Sequence, residues 1–143
     1  MKKVIYPVLA FAVILIIGCT NSKKADVENP YVGAWSLVDQ KYVFPDTTYV
    51  NTNKTYNVKL LTKKHYAVGH QTEENEAAAG GGEYTYDGDT FTSFPKYHHN
   101  KANLGKSVVW KSKIEGDLWK ISRSIKNDTL QVDYTETWKR IPE

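Results

Sequence analysis

Hydrophobic positions along this chain follow two different rules. From Val4 to Gly18 the sequence is apolar apart from Tyr6, with Lys2 and Lys3 before the run and Cys19 at its end. That run is too short to cross ~30 Å of hydrocarbon, and its layout is that of a signal peptide rather than a spanning helix. After Cys19, long helical patterns are missing. Apolar and polar residues instead alternate with period two over short runs separated by turn residues, which predicts β-strands. Eight strands are expected, at 33–43, 56–61, 65–71, 82–87, 89–94, 107–114, 118–125 and 129–140.

The turns set registers that hydrophobicity can check, because a slip of one residue moves every side chain to the other face. Gly116-Asp117 as a loop pairs Ile114 with Trp119 and Ser112 with Ile121. Asn127-Asp128 as a loop pairs Ile125 with Leu130, Arg123 with Val132 and Ile121 with Tyr134. Three strands then agree on one apolar face that carries Trp110, Trp119, Tyr134 and Trp138, while Lys111, Lys113, Lys120 and Lys139 take the other. A three-residue turn at 62–64 aligns Tyr56, Val58 and Leu60 with His70, Val68 and Tyr66, and Asp87-Gly88 places Tyr84 opposite Phe91. Alternating the strands puts the tight turns 62–64, 87–88 and 116–117 at one end. The long connections 44–55, 72–81 and 95–106 fall at the other. The expected fold is therefore all-β, an eight-stranded antiparallel up-and-down barrel closed at one end and loop-rich at the other.

Composition adds three constraints. Residues 19–143 are the length of one domain. Cys19 is the sole cysteine, so the fold must rest on its core without a disulfide. Without Lys2 and Lys3 the 19 basic residues fall to 17, against 16 acidic ones, a balance that gives no electrostatic case for nucleic acid. The organisation reads as a signal peptide over 1–18, a polar flexible tether over 19–30 and a barrel domain over 31–143. Glu73–Gly82, with three acidic residues, three alanines and three glycines, reads as a loop.

Two resemblances follow from specific residues. Ile16-Ile17-Gly18-Cys19 resembles the lipobox of bacterial lipoproteins. That likeness implies cleavage before Cys19, diacylation of its thiol and acylation of its freed amine, hence a protein tethered in the bacterial cell envelope, outside the cytoplasm. Thr20 is not the Asp that can mark inner-membrane retention, so the outer membrane is the expected anchor. A plain signal peptide with an incidental cysteine is the alternative. Gly33-Ala34-Trp35 at the first strand and Trp138-Lys139-Arg140 at the last are similar to the lipocalins and their calycin relatives. The stretches Gly80–Asp89, Ile114–Trp119 and Glu136–Arg140 are similar to small bacterial lipocalin-like lipoproteins. The resemblance implies a lipocalin-like barrel in which Gly33, Trp35 and Arg140 close the first strand onto the last.

Candidate chemistry is sparse. Arg123 and Glu136 are the inward charges, and a buried charge is costly unless paired. Glu136 with Arg140 is the expected structural pair. Arg123, near the open end, either extends to solvent or holds a ligand carboxylate. His65 is expected to point outward and His70 inward, and His98-His99, neighbours on an extended stretch, point apart unless the chain bends. No metal site, cofactor or catalytic set is expected. The main expectation is a monomeric binding protein for a small apolar or amphipathic molecule, its pocket lined by Tyr56, His70, Tyr84, Phe91, Trp110, Arg123 and Tyr134. A filled barrel that uses its mouth loops on a protein or glycan partner is the alternative.

Overall fold

A computed structural model describes residues 28–51, 56–71, 76–128 and 130–143; Cys19 and the tether up to residue 27 lie outside the described residues. Nine strands follow in order: β1 (Gly33–Val43), β2 (Thr48–Asn51), β3 (Asn57–Leu61), β4 (His65–Gln71), β5 (Ala77–Asp87), β6 (Thr90–His98), β7 (Val108–Glu115), β8 (Leu118–Lys126) and β9 (Gln131–Arg140). Every neighbouring pair is antiparallel, and β1 pairs with β9 to close the sheet. β2 pairs with Gln40–Val43 and β3 with Gly33–Ser36, so the two lie in series along one edge of β1. Counted together they form a single stave of an eight-stranded up-and-down barrel.

Three expectations about the connections change. The stretch 44–55, expected to be a loop, holds β2, and β5 begins at Ala77 rather than at residue 82. Gly80, Gly81 and Gly82 suit the strand because their small size fits a crowded, buried place. A Cβ on Gly82 would run into the carbonyl of Phe94, where the β5–β6 register shifts. The 62–64 turn is also tighter than read: Thr62 N–H donates to His65 C=O, and Leu61 pairs with Tyr66. That moves β3 by one residue and turns it over. Lys59 and Leu61 are buried, while Leu60 is 54% exposed and Tyr56 is 69% exposed.

The closed end is filled. Trp35 and Trp119 are fully buried and meet edge to face at 5.4 Å; Tyr31 packs on Trp119 at 5.3 Å, and Tyr84 stacks on Phe91 at 4.9 Å. Their polar atoms have partners, as buried groups require. Trp35 Nε1 donates to the Tyr31 carbonyl at 2.9 Å, and Trp119 Nε1 donates to Ser112 Oγ at 2.9 Å. The closure expected at β1 and β9 is present. Arg140 pairs with Trp35 in register and lies 4.1 Å from the centre of its ring. The same guanidinium donates to the carbonyls of Val32 (2.8 Å) and Pro30 (2.7 Å), tying the incoming chain across the barrel end. Gly33 makes this possible: its φ of 129° disfavours other residues, and a Cβ there would sit 2.9 Å from Arg140 Nη1.

Candidate functional site

Above the aromatic plug the barrel is hollow. A cavity of about 250 Å³ opens between the upper halves of the strands. Its position follows from two irregularities. The β1–β9 register shifts at Val38, so Leu37 faces inward below the shift, whereas Gln40 and Tyr42 take the inner face above it. On β5, Gly80 leaves room for the His98 ring, whose Cδ2 would lie 2.7 Å from a Cβ at that position.

Five of the residues expected to line a pocket do so: His70, Phe91, Trp110, Arg123 and Tyr134. Two do not. Tyr56 projects outward for the register reason above. Tyr84 is buried in the closed end, where its hydroxyl donates to the Thr62 carbonyl at 2.6 Å and accepts from Asn29 Nδ2 at 2.8 Å.

The cavity floor is ionic. Glu136 pairs with Lys59 at 3.1 Å, not with Arg140, and both side chains are 11% exposed. Arg140 instead caps the barrel end over Trp35, leaving the inward carboxylate to Lys59 on β3, the strand on the other side of β1. Glu136 takes three donors: Tyr134 Oη at 2.5 Å on Oε1, and Trp138 Nε1 (2.7 Å) and Lys59 Nζ (3.1 Å) on Oε2. Burial disfavours its charge, yet Lys59 and these donors outweigh burial and hold the carboxyl below its usual range. Burial pulls Lys59 below the usual lysine value, with Glu136 opposing. The ammonium also lies over Trp138 at 4.0 Å and near Trp119 at 4.9 Å. Tyr134, raised by burial and by Glu136, stays a phenol and a donor.

Arg123 sits higher, on β8 opposite Tyr134, with its guanidinium 4.6 Å above the Trp110 ring. Its Nε is buried and has no hydrogen-bond partner among the described residues. At the rim, His98 and His99 stack at 4.4 Å and His70 meets His99 edge-on at 5.1 Å. The chain does bend after His98, because Asn100 N–H donates to His98 Nδ1 at 2.9 Å. Burial, then the neighbouring imidazoles, lower His70 and His98 below the usual histidine value. Among the described residues no group of three or more His, Cys, Asp or Glu is arranged to hold a metal ion. The cavity is therefore a pocket of mixed polar and aromatic walls with a neutralised floor and a cation, Arg123, whose Nε has no hydrogen-bond partner among the described residues.

No family model and no curated protein matches the sequence. Two solved structures are similar in shape. A lipocalin-like protein from Bacteroides uniformis matches 77% of this chain and 97% of its own at 10% identity, with a TM-score of 0.51. An uncharacterized protein from Bacteroides eggerthii matches 78% and 99% at 10% identity, with a TM-score of 0.52. Identity this low speaks to the fold alone, and it agrees with the strand order, the closed meander and the Trp35–Arg140 closure: this chain has a lipocalin-like β-barrel fold.

Proposed function

We propose that the protein is a lipid-anchored binding protein of the bacterial cell envelope that holds a small amphipathic molecule in the upper half of its barrel. The observation that carries this reading is a cavity of about 250 Å³ bordered by Arg123, whose Nε is buried without a hydrogen-bond partner among the described residues. A guanidinium Nε–H left without an acceptor in a partly dry pocket favours an anionic group that can accept from it. Trp110, Phe91 and Tyr134 supply the apolar side of an amphipathic fit. Binding without catalysis is the simpler chemistry, because Lys59 and Glu136 spend their charges on each other and Glu136 is held by three donors. The filled-barrel alternative suits the lower half of the barrel and not the upper half. Cys19, at the end of the apolar run, is the proposed lipidation site, and the tether joins the barrel at its closed end, so the mouth faces away from the outer membrane.

Native mass spectrometry of the protein purified from its own cell tests both parts. Added acyl mass on the peptide that begins at Cys19, and a non-covalent adduct lost on activation, are expected. Cys19→Ser is expected to move the protein from membrane to soluble fractions. The binding reading fails if the protein emerges bare and binds neither fatty acids nor aromatic carboxylates nor their methyl esters. The anchoring reading fails if Cys19→Ser stays with the membrane.

A further inference from the structure

A barrel of this shape invites the idea of a long acyl chain lying along its axis, but the cavity argues for a different occupant. Its depth is limited. The lower half is solid with Trp35, Trp119, Tyr31 and Tyr84, and the floor above them is the Lys59–Glu136 pair. An acyl tail threaded downward would press methylenes onto a buried ion pair, which gains nothing from apolar contact and loses any residual hydration. Its size is limited as well. An apolar cavity of about 150 Å³ takes a benzene ring, so about 250 Å³ suits one or two fused rings with small substituents. A long chain would leave most of its methylenes in water.

The walls carry more polarity than an acyl site needs. Tyr66, Ser93 and His70 face the cavity from β4 and β6, and Gln40 and Asn57 from β1 and β3. Gln40 donates to Tyr134 Oη at 2.8 Å and Ser93 Oγ to the Val108 carbonyl at 3.5 Å, and hydrocarbon would cover polar groups whose remaining bonding capacity a polar ligand group can use. Charge narrows the choice further. Lys59 and Glu136 cancel, and Glu136 is already hydrogen-bonded at both oxygens. Arg123 is the cation lining the cavity that has no acidic partner among the described residues, so a single negative charge completes the site. Planarity follows from the fork of the guanidinium and from its place over Trp110, where a flat group can meet the edge of the fork beside an aromatic wall.

We propose that the cavity selects a compact aromatic monocarboxylate bearing a second polar group, and that it discriminates against long acyl chains. This deepens the binding reading given above and rests on it. The carboxylate lies against Arg123, the ring between Trp110 and Phe91, and the second polar group toward Tyr66, Ser93 and His70. Isothermal titration of the full-length protein with 6-hydroxy-2-naphthoate, its methyl ester and hexadecanoate separates the possibilities. The naphthoate is expected to bind at least tenfold more tightly than its ester and than hexadecanoate, and Arg123→Gln is expected to remove most of the preference for acid over ester. Since the ester comparison is made on the unaltered protein, it stands even if Arg123→Gln folds poorly. Equal affinity for acid and ester, or tighter binding of hexadecanoate than of the naphthoate, overturns the proposal while leaving a binding protein. Failure of all three probes overturns the proposal together with the binding reading.

Discussion

Removing Lys59 leaves a buried carboxylate without its counter-ion. The pair is 3.1 Å apart with both side chains 11% exposed, so neither partner can turn to bulk water. Breaking a buried pair by deleting one member costs about 3–5 kcal/mol. Lys59→Met falls toward the lower end, about 3 kcal/mol by the same reasoning, because Tyr134 and Trp138 still donate to Glu136. Glu136→Gln leaves an ammonium whose remaining partners are the Trp138 and Trp119 rings, and about 3–4 kcal/mol is expected. The double variant Lys59→Met with Glu136→Gln has no stranded charge and keeps an oxygen acceptor for Tyr134 or Trp138. Its loss should therefore be smaller than the sum of the singles by at least about 2 kcal/mol. Urea unfolding followed by tryptophan fluorescence reads all four proteins.

The pH dependence of the Lys59→Met deficit is a second readout. With Lys59 present, Glu136 is held below its usual value, so its contribution is present above pH 4.5 and is lost as pH falls through the folded value. Without Lys59 the largest influence opposing burial is gone, and the folded carboxyl moves up toward its protonated form. The deficit of Lys59→Met should therefore be larger at pH 7 than at pH 4. Additive single variants, or a deficit equal at both pH values, would refute the ionic floor.

Trp35→Ala should cost about 3–5 kcal/mol from the cavity it opens, whereas Arg140→Ala should cost about 1–2 kcal/mol, from its ring contact and two carbonyl bonds; matching denaturant midpoints for Trp35→Ala and wild type would contradict the closure. Gly82→Ala must displace the Phe94 backbone and should lower stability by about 1–3 kcal/mol, while Gly69→Ala meets nothing within 4 Å and should change it by less than about 1 kcal/mol; thermal unfolding of the two compares them directly. His70 should titrate below 6.5 by NMR because burial and its neighbours His99 and His98 lower it. The unfolded chain then binds that proton first, so stability falls as pH drops below 6.5 toward the folded value, and His70→Gln should flatten that slope.

Turn length decided which parts of this molecule could be read from its sequence. At Gly116-Asp117 the expected pairs Ile114–Trp119 and Ser112–Ile121 are the observed ones. At the Asn127 turn the register is off by two residues, Arg123 meeting Tyr134 rather than Val132. The Gly88 turn is off by two as well, with Tyr84 opposite Ser93. Shifts of two preserve the inward face, so Arg123, Tyr134, Tyr84 and Phe91 all stayed inside. At 62–64 the error was a single residue, and it exchanged Tyr56 and Leu60 for Asn57 and Lys59. Hydrophobicity favoured the wrong face there, since Tyr-Val-Leu is more apolar than Asn-Lys-Leu. The available signal was electrostatic: an inward Glu136 needs a cation, and a slip of one residue at 62–64 brings Lys59 to the inner face. The bulges at Val38 and at Lys96, opposite Gly81 and Gly82, have no signature in alternation, because each inserts one residue into a regular pattern.

The four tryptophans give the most direct test of a barrel that is solid below and hollow above. Trp110 and Trp138 border the cavity, while Trp35 and Trp119 lie fully buried in the plug beneath it. Titrating 6-hydroxy-2-naphthoate into isotopically labelled protein and following the indole N–H signals by NMR reports each of them separately. The account predicts saturable shifts at Trp110 and Trp138 with little change at Trp35 and Trp119. Shifts of similar size at all four, or the largest at Trp35, would contradict it.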